Sequence, residues 1–85
     1  GIDVEVLSQP SLQLGGDYYD VLRVDERHQG FVIADVSGKG APAALMMASC
    51  RASLRLLAPG ELSPGAVLRR VNRAIQPDMP PGMYI

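Results

Sequence analysis

The stretch from Gly15 to Gly40 constrains this chain more than any other. It opens on Gly15-Gly16-Asp17-Tyr18-Tyr19-Asp20 and continues as a strand to Val24. A polar connection, Asp25 to Gly30, leads into the apolar Phe31-Val32-Ile33-Ala34 and then Asp35-Val36-Ser37-Gly38-Lys39-Gly40. Two acidic clusters, each beside glycines, therefore lie at the outer ends of one expected β-hairpin. Folding it symmetrically about Arg27 and His28 sets Asp20 across from Asp35, with Asp17 a few residues further out, and crowds three carboxylates at one sheet edge. Ionised like charges at close range repel, and a fold holds them together when a proton or a cation neutralises them. A divalent metal is the working expectation. Because a slip of one residue turns every side chain to the other face, the pattern leaves open which carboxylate touches it.

The rest of the chain supplies a frame for that hairpin. Ile2, Val4 and Val6 alternate with Asp3 and Glu5 as in a half-buried strand, and Ser8 to Ser11, with Pro10, interrupts it. After Gly40 the period changes to that of a helix. Pro42 suits a first turn, Met47, Cys50, Leu54 and Leu57 recur at helical spacing, Arg51 and Arg55 lie four apart on another face, and Pro59-Gly60 stops it. Ser63-Pro64 reads as an N-cap with Pro behind it, opening a second helix striped by Val67, Leu68, Val71, Ala74 and Ile75. Gln76 to Gly82 holds three prolines and reads as a loop, and Met83-Tyr84-Ile85 as a strand just beginning. The fold class is α+β, with antiparallel strands followed by two helices.

With 85 residues there is room for one small domain or part of one, and a chain this short buries only about 60% of its unfolded surface. From the start at Gly1 and the stop in a strand pattern, the chain is expected to be part of a larger domain. Net charge is −1, which gives no reason to expect nucleic acid or an acidic membrane as partner. Acids dominate before Lys39; Arg51, Arg55, Arg69, Arg70 and Arg73 dominate after it, as a solvated helical face or a docking surface. Cys50 stands alone in an apolar run and is expected to be buried and structural. No apolar run approaches a membrane span and Gly1-Ile2-Asp3-Val4-Glu5 does not read as a signal peptide, so a cytoplasmic location is the default expectation.

Other readings of the motif fare poorly. Gly38-x-Gly40-x-x-Ala43 loosely matches a dinucleotide-binding turn, but Asp35 would repel a pyrophosphate and a second helix stands where a parallel strand is required. A phosphate-binding P-loop fails because Gly40 follows Lys39 and Ile33 replaces the first glycine. Gly15-Gly16-Asp17 alone is also shared with diguanylate cyclases, whose metal-binding acid after Asp is here Tyr18.

Taken together, Gly15 to Asp20, then Ile33-Ala34-Asp35-Val36-Ser37-Gly38-Lys39-Gly40, then the small-residue helix Ala41 to Ala48 resemble the SpoIIE/RsbU-like branch of the PPM (protein phosphatase 2C-like) phosphatases. The Ser63-Pro64 helix with Asn72 and the strand opening at Met83 also fall in that family's order. The likeness covers the N-terminal portion of the domain, less than half of it. It implies an α-β-β-α sandwich and a metal-dependent hydrolase of phosphoserine or phosphothreonine in proteins, typically an anti-sigma-factor antagonist in bacterial partner switching. Two Mn²⁺ or Mg²⁺ ions would sit at one edge in the complete domain. Asp35 matches the aspartate bridging both ions, Val36 the residue whose carbonyl ligates one, and Asp17 the earlier acid, bound directly or through water. Asp17 and Asp35 are thus the expected catalytic and metal residues.

Asp20, Gly38 and Lys39 are candidates behind the ligands or beside the phosphate, and Asp20 is equally a plain strand residue. Lys39 replaces a histidine common among relatives and acts on phosphate only as a point charge. Hard oxygen donors suit Mg²⁺ and Mn²⁺, and a metal pair activates water without a side-chain nucleophile, so Ser37 is a turn residue. His28, in a polar turn, is expected to be exposed. The family's later aspartates lie beyond Ile85, so this segment alone is expected to have little activity. Sensory domains in the parent chain are compatible with this plan, and the competing class is a PPM-like module that binds or regulates without catalysis.

Overall fold

The computed structural model describes residues 17–85. The strand expected over Ile2 to Val6, the break after it and Gly15-Gly16 lie outside the described residues.

Two antiparallel strands, β1 (Asp17–Arg23) and β2 (Gln29–Asp35), form the hairpin. Helix α1 (Gly40–Leu57) and helix α2 (Pro64–Ile75) follow, and a short 3₁₀ turn occupies Gln76–Asp78. This is the α+β order expected. The hairpin register departs from the symmetric one: Asp17 pairs with Asp35 and Asp20 with Val32. The turn accounts for the shift. The His28 carbonyl accepts from the amides of Val24 at 3.0 Å and Asp25 at 3.3 Å, while the Asp25 carboxylate accepts from the Arg27 amide at 2.8 Å. These bonds close the connection over residues 24–28 and centre it on Glu26, so Gln29 and Gly30 belong to the strand rather than to the turn.

One hairpin face packs on α1. Leu22 is buried and Tyr18, Val32 and Ala34 are half-buried against the same cluster. The helix supplies Ala43, Met46, Met47, Cys50 and Leu54, spaced by three and four so that they share a face. Val67, Val71 and Ile75 of α2 complete the core beside α1, whereas Leu68 and Ala74, expected in that stripe, are exposed. Ser63 caps α2 as expected: its Oγ accepts from the Ala66 amide at 3.2 Å, with Pro64 at the first position, where a missing N–H leaves no bond unmade.

The other face is open among the described residues. Tyr19, Val21, Phe31 and Ile33 alternate along it, with Ile33 92% exposed. A strand apolar on both faces is built to be covered on both, and only one is covered by residues 17–85.

Candidate metal centre

Asp17 and Asp35 are Cα partners on the last rung of the β-ladder, where the hairpin opens. Directly opposed residues of an antiparallel pair project to the same face, with Cβ atoms roughly 5 Å apart. Both aspartates are exposed. A hydrogen bond with Asp17, reinforced by the closeness of that second acid, pushes the Asp35 carboxyl above the usual carboxylate range. A proton or a cation between two acids held this way relieves their repulsion.

Asp20 does not join them. It lies three positions from Asp17, so the strand turns it to the opposite face, toward α1. There Arg55 donates from Nε and Nη2, each at 2.8 Å, to the two carboxylate oxygens. The Tyr18 hydroxyl also donates to Asp20, and the Val21 amide donates to Oδ1 at 2.9 Å. Burial works to raise the Asp20 carboxyl, but the bonds from Tyr18 and Arg55 outweigh it and hold it below its ordinary value. Burial and the bond to Asp20 push the Tyr18 hydroxyl up to about 12. The expected crowding of three carboxylates is thereby corrected to two. Among the described residues no group of three or more His, Cys, Asp or Glu side chains gathers.

The loop after Asp35 is anchored at several points. Val36 is 3% exposed, so its side chain is a core residue while its carbonyl lies beside Asp35 in the chain. The Ser37 amide donates to the Tyr84 carbonyl at 2.8 Å, and the Tyr84 amide donates back to Ser37 Oγ at 2.8 Å. Gly38 and Gly40 take φ of 98° and 74°, which an L side chain resists, and this carries the chain from the strand into α1. Lys39 stands exposed at the N-cap position, and the first turn of α1 holds no acid. The lysine and the positive helix end both favour an anion there.

The donor set is oxygen only. His28 bonds through Nδ1 to Asp25 at 2.8 Å, exposed in the turn at the other end of the hairpin. Cys50 is buried, and that burial raises its thiol pKa. A groove of about 480 Å³, lined by Leu22, Phe31, Leu54, Val67 and Leu68 among others, also includes His28 and lies toward the turn. Two carboxylates and a carbonyl fit Mg²⁺ or Mn²⁺, which take one or two carboxylates and keep water on the remaining positions.

Sequence reading missed Arg55 and Tyr18 as partners of Asp20, and Tyr84 as the partner of Ser37. Arg55 was visible only as one of a pair spaced by four on a polar helix face. Nothing local says that this face looks back on a strand 35 residues earlier.

Strand, strand, helix, helix, with facing aspartates where the hairpin opens, is an α+β arrangement. The chain belongs to the Stage II sporulation protein E (SpoIIE) family, whose match covers residues 25–85. It is 34% identical over 84 residues to phosphoserine phosphatase RsbU of Bacillus subtilis, covering 99% of this chain and 25% of that protein. It is also 34% identical over 70 residues to protein IcfG of Synechocystis, covering 81% of this chain and 11% of that protein. The chain thus spans a quarter or less of these relatives. No solved structure gives a significant match. The family match includes Asp35, Val36, Gly38 and Lys39 but begins after Asp17, which falls within the longer alignment to RsbU. No helix among the described residues is long and apolar enough to cross a membrane.

Proposed function

We propose that the complete domain containing this chain is a metal-dependent phosphatase of phosphoserine or phosphothreonine in a protein, acting in the cytoplasm on an anti-sigma-factor antagonist in bacterial partner switching. The observation that carries the reading is the facing of Asp17 and Asp35 on the terminal rung. The likeness to RsbU, named a phosphoserine phosphatase, supports the substrate chemistry. Asp17, Asp35 and the Val36 carbonyl would hold Mn²⁺ or Mg²⁺, two ions in the complete domain. Bound there, the ions supply an activated water and neutralise phosphoryl oxygens.

The chain's own residues do the positioning. The β-ladder sets Asp17 against Asp35, and Val36, buried in the core, fixes the strand end. Gly38, with φ of 98°, lets the loop turn from the strand toward α1. Lys39 and the start of α1 draw the phosphate to the edge as positive charge. Ser37 offers no nucleophile, because its hydroxyl is engaged by a main-chain amide and not by a base.

The test is hydrolysis of a phosphoserine peptide by the complete domain with Mn²⁺, for wild type and Asp35→Asn. Turnover that needs the metal and falls at least about 100-fold in the variant is expected. Metal binding without turnover on any phosphopeptide would favour the non-catalytic module instead.

A further inference from the structure

Asp35 sits between two fixed points. On its N-terminal side the ladder holds it against Asp17. Two residues further on, Ser37 is joined to Tyr84 by two bonds of 2.8 Å, one through its amide and one through its hydroxyl. These bonds span 47 positions of sequence and bring residues 83–85 alongside the metal loop. Met83 packs on the core, and its Cε lies 3.7 Å from where a Cβ on Gly38 would stand. The loop carrying Val36 therefore leans on a distant segment, and only one side chain in it, Ser37, makes a polar bond to that segment.

We propose that Ser37 is a positioning residue for the metal edge, its hydroxyl holding the Asp35–Val36 backbone in the orientation that presents carboxylate and carbonyl to one cation. This rests on the reading of Asp17 and Asp35 as metal ligands. The Ser37 hydroxyl accepts from the Tyr84 amide while the Ser37 amide serves the Tyr84 carbonyl, so the two residues lock as a reciprocal pair. Deleting the hydroxyl leaves one bond of the pair, around which the loop can swing. The Ser37 amide to Tyr84 carbonyl bond stays in place, so the fold is expected to lose little. Small displacements of a ligand-bearing segment are felt by a metal far more than by the fold, as with other groups that orient ligands from behind.

The experiment uses the complete domain with wild type, Ser37→Ala and Ser37→Thr. Manganese affinity is read from the spin-resonance signal of free Mn²⁺ in a titration, beside the melting temperature of the metal-free protein and the exchange rate of the Tyr84 amide. Ser37→Ala is expected to weaken Mn²⁺ binding roughly tenfold, to speed exchange at Tyr84 and to leave the melting temperature nearly unchanged. Ser37→Thr, which keeps the acceptor, restores affinity and protection. Wild-type affinity in Ser37→Ala, or a drop in melting temperature with affinity intact, would make Ser37 a purely structural residue and overturn the proposal. Should Ser37→Ala fail to fold, Ser37→Cys, a weaker acceptor of similar size, takes its place with the same expected order. Failure of the wild type itself to bind Mn²⁺ would remove the metal reading beneath, an outcome distinct from equal binding by wild type and variant.

Discussion

Arg55 grips Asp20 with two arms of its guanidinium, each nitrogen 2.8 Å from its own carboxylate oxygen. The pair joins the middle of β1 to the last part of α1, and only a tenth of the Asp20 side chain meets solvent. Tyr18, two rungs away on the same face, donates to the same carboxylate. A single acid thus ties the strand that carries Asp17 to the helix that follows Asp35.

Breaking this tie should loosen helix against strand. Asp20→Ala leaves the Tyr18 hydroxyl and the Arg55 fork without their acceptor, and a melting temperature lower by a few degrees is expected. Asp20→Asn keeps one oxygen and should fall between. Arg55→Lys cannot reproduce the two-pronged geometry and should resemble Arg55→Ala more than wild type. Thermal unfolding followed by circular dichroism orders the four variants against wild type, and equal melting temperatures would contradict the role given to the pair.

Acid has opposite effects on Asp20 and Asp35. The Asp20 carboxyl is held below its unfolded value of about 3.9. Its contribution to stability is present above that value and is lost as pH falls through the lower folded one. The Asp35 carboxyl is raised by its bond with Asp17 and by that second charge. Ionising it destabilises the fold as pH rises through the folded value, and the penalty persists at neutral pH. In metal-free protein Asp35→Asn should therefore melt above wild type at pH 7, with the gap closing below about pH 3. Unfolding curves at the two pH values check this, and a lower melting temperature for Asp35→Asn at pH 7 would contradict it.

Two glycines should respond to alanine with opposite signs. Gly38 has φ of 98°, outside the range of an L residue, so Gly38→Ala should cost about 1–2 kcal/mol. Gly65 lies within α2, and a Cβ there would meet the far end of Arg69 at 3.4 Å and Ser63 Oγ at an ordinary 3.9 Å. Gly65→Ala should stabilise by roughly 0.5 kcal/mol. Urea unfolding of the two variants measures both.

Two facing carboxylates do not make a tight site for two ions. The 85-residue chain by itself should hydrolyse a chromogenic phosphate ester with Mn²⁺ hardly above background, while the complete domain turns it over. Strong manganese-dependent turnover by the short chain would show that no further ligands are needed.

How much of this was legible from the residues differs by element. Helix α2 could be read almost whole, because Ser63, Pro64 and the spacing of Val67, Val71 and Ile75 are local signals that tertiary packing did not override. Helix α1 likewise followed its apolar spacing. The hairpin was visible as an element, but its register was not. That depended on which carbonyl closed the turn, and the bonds of His28 and Asp25 moved the centre to Glu26. The shift changed the partner of Asp35 from Asp20 to Asp17 and sent Asp20 to the other face. The contacts of Arg55 and Ser37 were invisible for another reason: each joins segments more than 30 positions apart, and no local pattern records such a meeting.

The pairing of Asp17 with Asp35 around a cation is tested most directly by Mn²⁺ titration of the complete domain, comparing wild type with Asp17→Asn, Asp35→Asn and Asp25→Asn. The first two variants should bind at least about tenfold more weakly. Asp25→Asn, altered in the turn at the far end of the hairpin, should bind as wild type does. Unchanged affinity in Asp35→Asn would contradict the assignment.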